Sequence, residues 1–196
     1  MKYFFTSDNH WSHRRIIEYC NRPFKTSEEM DEIMIENWNR VVGPDDVVFH
    51  LGDVIFERDV SKINGLLSRL NGEKHLIFGN HDKMLRNALW RKHFKSSSEL
   101  STIWVPPEAN NGVGQQIVLC HYAMKTWNCS HHKAWSLYGH SHGTMPDDPH
   151  MLSCDVGVDC WDFTPVSMEQ LNTKMATKTF YPVDGHKGKY EDNQNT

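Results

Sequence analysis

The sequence predicts an α/β fold in which helices pack on a largely parallel sheet. Three short apolar runs, at 2–6, 46–51 and 74–78, are typical of strands that are buried on both faces. Two segments between these runs, 27–42 and 59–70, place their apolar residues on one helical face. Strands that alternate with helices in this way indicate a parallel sheet with its helices packed against it.

The ends of the helices are marked by residues that favour helix caps. Thr26 followed by Glu29 predicts a capping box at the start of the first helix, and Gly43 with Pro44 predicts its end. Asn71-Gly72 predicts the end of the second helix. Residues 83–94 are typical of a further helix, for which Asp82 would be the N-cap.

Beyond residue 95 the pattern changes to strands separated by turns. Four strands are predicted, at 101–105, 116–120, 135–138 and 152–158. This second half is expected to be more antiparallel than the first. We predict a single domain over 1–183 and a flexible tail over 184–196, because the tail is almost entirely polar.

Composition excludes several classes of protein. The 196 residues carry a net charge of −4, which argues against a broad basic surface for nucleic acid. No apolar run reaches the length of a membrane span, and no secretory signal is visible, so we expect a cytoplasmic protein with no membrane partner. Five cysteines without a CxxC pair are expected to be reduced thiols.

Polar clusters follow the predicted strands, where the loops of an α/β fold form binding sites. Seven residues in these clusters are candidate metal ligands: Asp8, His10, Asp53, Asn80, His121, His140 and His142. Two pairs, Asp8 with His10 and His140 with His142, have i, i+2 spacing, which places both side chains on one side of an extended segment. Gly139 and Gly143 flank the second pair and would let the chain approach an ion closely.

The chemistry of this set predicts two metal ions. Imidazole, carboxylate and amide oxygen suit manganese first, with iron, zinc, nickel or magnesium as alternatives. Seven candidates exceed the needs of one four-coordinate ion and suit two divalent ions bridged by one carboxylate and a hydroxide. Two such ions balanced only by Asp8 and Asp53 would attract an anionic phosphate ester.

The order of the motifs resembles that of the calcineurin-like metallophosphoesterase superfamily, and the opening segment is most similar to small bacterial and phage-borne predicted phosphoesterases. The motifs D-x-H, GD, GNH[DE], H and GHxH follow one another from Asp8 to His142. The resemblance implies a four-layer αββα sandwich with a mixed β-sheet core. It also implies catalytic roles for His81, as general acid or phosphate-stabilising imidazole, and for Asp82, which would orient it.

The same resemblance implies how the ligands divide between the metals. One ion would be bound by Asp8, His10 and His142. The other would be bound by Asn80, His121 and His140, with Asp53 bridging the two ions.

The substrate is expected to be a small phosphodiester or a nucleotide. Protein serine/threonine phosphatases of this superfamily carry GDxxDRG, whereas Val54 to Arg58 follow Gly52-Asp53 here. His13, Arg14 and Arg22 follow the first motif closely and are either candidates for binding the phosphate or solvent-facing residues of a loop and a helix. The predicted function is a dinuclear phosphodiesterase in which a metal-bridging hydroxide attacks phosphorus while His81 assists the leaving group.

Two other functions remain open at this point. One is a metal-binding interaction module of the same fold that catalyses nothing, although His81 and a full ligand set argue for catalysis. The other is a nuclease, against which the short chain and its acidic balance argue. Residues 125–133 are either a lid over the site or a surface loop, and the sequence does not specify the oligomeric state.

Overall fold

The structure is a computed structural model that describes residues 1–87 and 89–184. All of the predicted tail except Asp184 therefore lies outside the described residues. The α-helices of the described part are α1 Arg14–Tyr19, α2 Ser27–Val41, α3 Val60–Leu67 and α4 Met168–Ala176. The strands are β1 Tyr3–Thr6, β2 Val47–His50, β3 Glu73–Ile77, β4 Ser96–Ser98, β5 Leu100–Val105, β6 Gln115–Cys120, β7 Trp135–Tyr138, β8 Ser153–Asp155 and β9 Val166–Ser167.

The strands form two mixed sheets, which confirms the predicted fold class. The first sheet has the order β4-β3-β2-β1-β9, with β1 to β4 parallel and β9 antiparallel to β1. The second has the order β5-β6-β7-β8, in which β5 is antiparallel to β6 while β6, β7 and β8 are parallel. The second half is thus more parallel than predicted, because the long connections 121–134 and 139–152 permit parallel crossovers.

Both faces of the first sheet are buried, as its apolar strands predict. Phe4 packs in a cluster with helices α1, α2 and α3, whereas the next residue, Phe5, packs in the cluster between the two sheets. In the same way, Leu76 packs with the helices and Ile77 packs between the sheets. Helix α4 contributes Leu171 to the cluster between the sheets. Side chains alternate across a strand, so a strand covered on both sides needs consecutive apolar residues.

The helix boundaries largely follow the predicted caps. The hydroxyl of Thr26 accepts a hydrogen bond from the Glu29 backbone at 3.1 Å, but the Glu29 carboxylate accepts from the Lys25 backbone, so only half of the capping box forms. The helix predicted at 83–94 is wrong. Residues 83–87 form turns and a 3₁₀ helix covers Leu89–Lys92. Asp82 does not cap a helix there because its carboxylate accepts from the backbone of Gly79, Asp53 and Val54 instead.

Among residues 1–87 and 89–184, no helix has the length and apolar character needed to cross a membrane.

Candidate metal centre

Loops after β1, β2, β3, β6 and β7 bring the seven predicted ligands together. Their side chains form two groups, in each of which the possible ligand atoms lie within 4.8 Å of one another. The first group is Asp8, His10 and His142, and the second is Asp53, His121 and His140. The amide oxygen of Asn80 joins the second group, since it lies 3.1 Å from both His121 Nε2 and His140 Nδ1.

One oxygen of Asp53 faces both groups. Asp53 Oδ2 lies 3.5 Å from His10 Nε2 and 3.6 Å from His121 Nε2. The carboxylate is 2 % exposed, so water screens it little. The position is the one that a carboxylate bridging two cations would require.

Two buried atoms of the first group test whether these residues fit a metal ion. Asp8 Oδ1 and His10 Nε2 have no hydrogen-bond partner among the described residues, although both are buried. Leaving such an atom unpaired costs about 1–3 kcal/mol. Burial raises the pKa of Asp8 well above its usual value and lowers the pKa of His10. A cation bound between them would pair both atoms, so the residues fit a divalent metal.

The ligand loops do not have the extended backbone that the i, i+2 spacing predicted. Asp8, His10, Asp53, His140 and His142 all have positive φ, between 49° and 69°. Asp8 and His10 still reach one group, whereas His140 and His142 reach different groups. A left-handed backbone at a residue other than glycine costs about 1–3 kcal/mol and persists only where its surroundings enforce it.

Arg22 enforces the conformation of the first loop. Its Nη2 donates to the Asp8 carbonyl at 2.7 Å and its Nη1 to the Asn9 carbonyl at 2.9 Å. Nε and Nη2 also donate to the two carboxylate oxygens of Asp159, each at 2.8 Å. Arg22 is only 4 % exposed. This geometry favours a role in positioning the ligand loop over the predicted contact with substrate.

Asp159 links Arg22 to the predicted ligand His142, and the sequence patterns did not identify Asp159. Its Oδ2 accepts from His142 Nδ1 at 2.7 Å. Burial alone would lower the pKa of His142, but hydrogen bonds to Asp159 and Cys20 raise that pKa to about 10. Cys20, His142 and Asp159 form a third group of possible metal ligands, which shares His142 with the first. The guanidinium of Arg22 already neutralises Asp159 in that group.

Asp82 stabilises the loops after β2 and β3 by accepting hydrogen bonds from their backbone. Its Oδ2 accepts from Gly79 N at 2.7 Å and from Asp53 N at 2.9 Å, and its Oδ1 accepts from Val54 N at 2.9 Å. No hydrogen bond joins this carboxylate to the His81 imidazole in the described part of the chain. Any influence of Asp82 on His81 therefore passes through the loop backbone.

The imidazole of His81 is exposed at the first group of ligands. Its backbone N–H donates to Asp53 Oδ1 at 2.8 Å, which ties the residue to the central carboxylate. The ring centroid lies 5.4 Å from that of His10. The side chain is therefore close to the predicted ligands and remains exposed beside them.

His121 has a defined tautomer. Its Nδ1 lies 2.7 Å from the Leu51 carbonyl oxygen, which can only accept a hydrogen bond. Nδ1 must carry the proton, and the lone pair of Nε2 is left to face Asn80 and Asp53.

Two glycines allow the ligand loops to approach one another. A Cβ on Gly79 would lie 2.5 Å from the Asp53 backbone nitrogen, and a Cβ on Gly139 would lie 2.5 Å from the Ser7 Cβ. Real Cβ atoms do not make such contacts. Gly139 thus lets its loop approach Ser7 closely, and the expected close approach to an ion stays a prediction.

Of the two remaining predicted substrate residues, His13 lies near the first group. His13 is half-buried, and its ring stacks on Phe56 with centroids 4.1 Å apart and lies 5.4 Å from His10. Arg14 is exposed on α1. At the second group, Tyr122 is a further residue that sequence reasoning missed: its hydroxyl lies 3.5 Å from Asn80 Oδ1.

Comparison with known proteins agrees with this geometry. Residues 1–171 match the family model for calcineurin-like phosphoesterases. The chain is 34% identical over 174 residues to an uncharacterized protein of Methanocaldococcus jannaschii, covering 86% of this chain and 88% of that protein. It is 32% identical over 180 residues to the gene 66 protein of Mycobacterium phage L5, covering 80% of this chain and 86% of that protein.

The fold is also similar to a solved structure. A crystal structure of a protein of unknown function from Aquifex aeolicus aligns with a TM-score of 0.67 at 20% identity, covering 88% of this chain and 98% of that one. This likeness concerns the fold, while the family match covers the loops that carry the ligands. The chain therefore belongs to the calcineurin-like phosphoesterases and is a metal-dependent phosphoric ester hydrolase.

Proposed function

We propose that this protein hydrolyses a phosphodiester at two divalent metal ions. Asp8, His10 and His142 would hold one ion and Asn80, His121 and His140 the other. Asp53 would contact both ions, and the position of its Oδ2 between His10 and His121 is the observation that carries the proposal. When bound, the two ions would lower the pKa of a water molecule and withdraw charge from the phosphoryl oxygens.

His81 is proposed to protonate the leaving oxygen. Its imidazole is exposed, while its backbone is tied to Asp53, so the ring can reach a substrate bound at the ligands. Proton transfer from a positioned imidazole typically contributes 10²–10⁴-fold to a rate. The proton leaves with the alcohol product, and the oxygen of water remains on phosphorus.

The charge of the ligand set favours a diester over a monoester. The seven ligands include only two carboxylates, Asp8 and Asp53, because Asn80 is neutral. Two divalent ions would leave an excess of about two positive charges, which one hydroxide and one singly charged diester balance. A doubly charged monoester together with the hydroxide would leave the site with a net negative charge.

The experiment is a metal titration of protein stripped by a chelator. Manganese, nickel, zinc and magnesium are added in turn, and hydrolysis of bis(p-nitrophenyl) phosphate and p-nitrophenyl phosphate is followed. We expect turnover that saturates near two ions per chain, is highest with manganese and is faster for the diester. Two bound ions without turnover of either ester would favour the non-catalytic interaction module, and faster monoester turnover would contradict the diester assignment.

A further inference from the structure

A groove of about 360 Å³ opens beside His81. Its volume falls in the lower part of the range of small-molecule sites. The groove is lined by Ile55, Phe56, Glu57, Arg58, His81, Lys83 and Met84. None of the seven metal ligands is among these residues, so the groove is a separate surface that meets the metal centre at His81.

Phe56 gives this groove an exposed aromatic face. The side chain is 50% exposed, although its ring stacks on His13 at 4.1 Å and meets the edge of His81 at 5.8 Å. Its backbone N–H donates to the Trp11 carbonyl at 2.8 Å, which fixes the position from which the ring projects. An aromatic ring that is fixed on one side and exposed on the other can stack on a flat ring of a ligand.

The groove carries an excess of positive charge. The Glu57 carboxylate accepts from the backbone of Arg58 at 2.7 Å and of Asp59 at 3.1 Å, and lies 3.6 Å from Lys62 Nζ. Arg58 and Lys83 are exposed, and neither side chain has an ion pair with a residue of the described chain. Two unpaired cations at the edge of an apolar groove are complementary to an anion.

We infer that this groove binds the leaving group of the substrate and selects a nucleoside phosphate. The inference rests on the proposed function, because the leaving oxygen is the atom that His81 would protonate. The base would stack on Phe56, and a phosphate at the far end of the nucleoside would pair with Arg58 and Lys83. The groove thereby specifies which of the two nucleosides joined by an internucleotide phosphate is the leaving group.

The direction of cleavage tests this inference. The substrate is a thymidine dinucleotide carrying a 5′ phosphate, given to the metal-loaded enzyme. Water adds to the internucleotide phosphorus, and the P–O3′ bond breaks if the 5′-phosphorylated nucleoside occupies the groove. The products are then two molecules of thymidine 5′-monophosphate. Release of thymidine with thymidine 3′,5′-bisphosphate would mean that the other nucleoside leaves, and would overturn the inference.

Substitutions in the groove provide the second test. The ratio of kcat/KM for the dinucleotide with and without its 5′ phosphate is measured for the double variant Arg58→Gln, Lys83→Gln. We expect this ratio to fall about tenfold, because the charge-assisted contacts to the phosphate are lost. Lys95→Gln removes an exposed charge at the opposite end of the strands and should leave the ratio unchanged. A ratio that changes equally in both variants, or in neither, would contradict the assignment.

Phe56→Ala tests the stacking contact. We expect kcat/KM for both dinucleotides to fall about tenfold, with two metal ions still bound per chain. Hydrolysis of bis(p-nitrophenyl) phosphate by the unmodified enzyme separates the two proposals. If that ester is hydrolysed while the groove variants leave both dinucleotides unaffected, the groove inference alone fails.

A binding measurement tests the groove even if no ester is hydrolysed. Thymidine 5′-monophosphate and thymidine are titrated by calorimetry into the full-length chain in the presence of chelator, after circular dichroism has shown that the fold is retained. We expect the monophosphate to bind more tightly by about tenfold and the double variant to lose this difference. Equal binding of the two compounds by the unmodified chain would overturn the inference.

Discussion

Asp159 accepts a hydrogen bond from Nδ1 of His142 at 2.7 Å, and the same carboxylate is bound by Arg22. With one proton held on Nδ1, Nε2 is the nitrogen of His142 that would bind a metal once its own proton is displaced. Arg22 in turn donates to the carbonyls of Asp8 and Asn9. One buried ion pair therefore positions ligands on two loops that are far apart in the sequence.

Asp159→Asn is expected to weaken metal binding without removing a predicted ligand. The amide keeps the shape of the carboxylate but lacks the charge that orients His142 and pairs with Arg22. Loss of such a partner typically costs 10–100-fold in metal affinity. Calorimetric titration of chelator-stripped protein with manganese should show this loss at one of two sites.

Asp45→Asn is the matched control for that measurement. Asp45 is exposed at the amino end of β2, away from the ligand loops, so its neutralisation should leave both manganese affinities unchanged. Equal affinities in Asp159→Asn and the unmodified protein would show that Asp159 does not orient a ligand.

Asp53→Asn and His81→Ala are expected to reduce activity in different ways. Asp53→Asn removes the charge between the two ligand groups, so both metal content and turnover should fall. His81→Ala should keep two ions per chain and lose about 10²–10⁴-fold in kcat, because only proton transfer is removed. Elemental analysis alongside diester hydrolysis distinguishes the two results. Normal metal content and normal rate in Asp53→Asn would refute the bridging role.

The sequence could predict which candidate ligands lie together but not the residues that position them. Each ligand follows a strand and belongs to a short local motif. Arg22 and Asp159, in contrast, are 137 residues apart, and no periodicity or spacing connects them. Their pairing depends on how the chain folds in three dimensions.

The spacing of the candidate ligands also did not predict the backbone conformation of their loops. Asp8 and His10 have φ of 57° and 50°, which is left-handed rather than extended. Asp, Asn and His are enriched among non-glycine residues with positive φ, so the residue types alone could have indicated a left-handed backbone here. The helix predicted at 83–94 failed for a similar reason, because Asp82 binds three backbone N–H groups instead of capping.

Arg22→Met is expected to destabilise the protein strongly. The Arg22 and Asp159 side chains are 0% and 8% exposed, so the substitution leaves a buried carboxylate without its main partner. Breaking a buried pair in this way costs about 3–5 kcal/mol. Urea unfolding in the presence of chelator measures the change in the free energy of unfolding.

Arg69→Met is the control for the buried pair. Arg69 pairs with Glu32 at the surface, where the side chains are 46% and 55% exposed, and such a pair contributes about 1 kcal/mol or less. Combining Arg22→Met with Asp159→Asn should cost less than the sum of the two single changes, because no unpaired charge is left buried. A loss in Arg22→Met no larger than that in Arg69→Met would show that the pair does not stabilise the fold.

Asp31 is expected to make the stability of the metal-free protein depend on pH. This carboxylate accepts hydrogen bonds from the backbone and hydroxyl of Ser12, at 2.9–3.1 Å, but burial raises its pKa to about 6. Since the pKa in the folded state exceeds the value in the unfolded chain, its favourable contribution is complete below about pH 4 and is lost as the pH rises through about 6. The free energy of unfolding of the unmodified protein, relative to that of Asp31→Asn, should therefore fall by about 2 kcal/mol between about pH 4 and pH 7. Urea unfolding at a series of pH values with chelator present gives this difference, and a flat or rising difference would show that folding does not raise the pKa of Asp31.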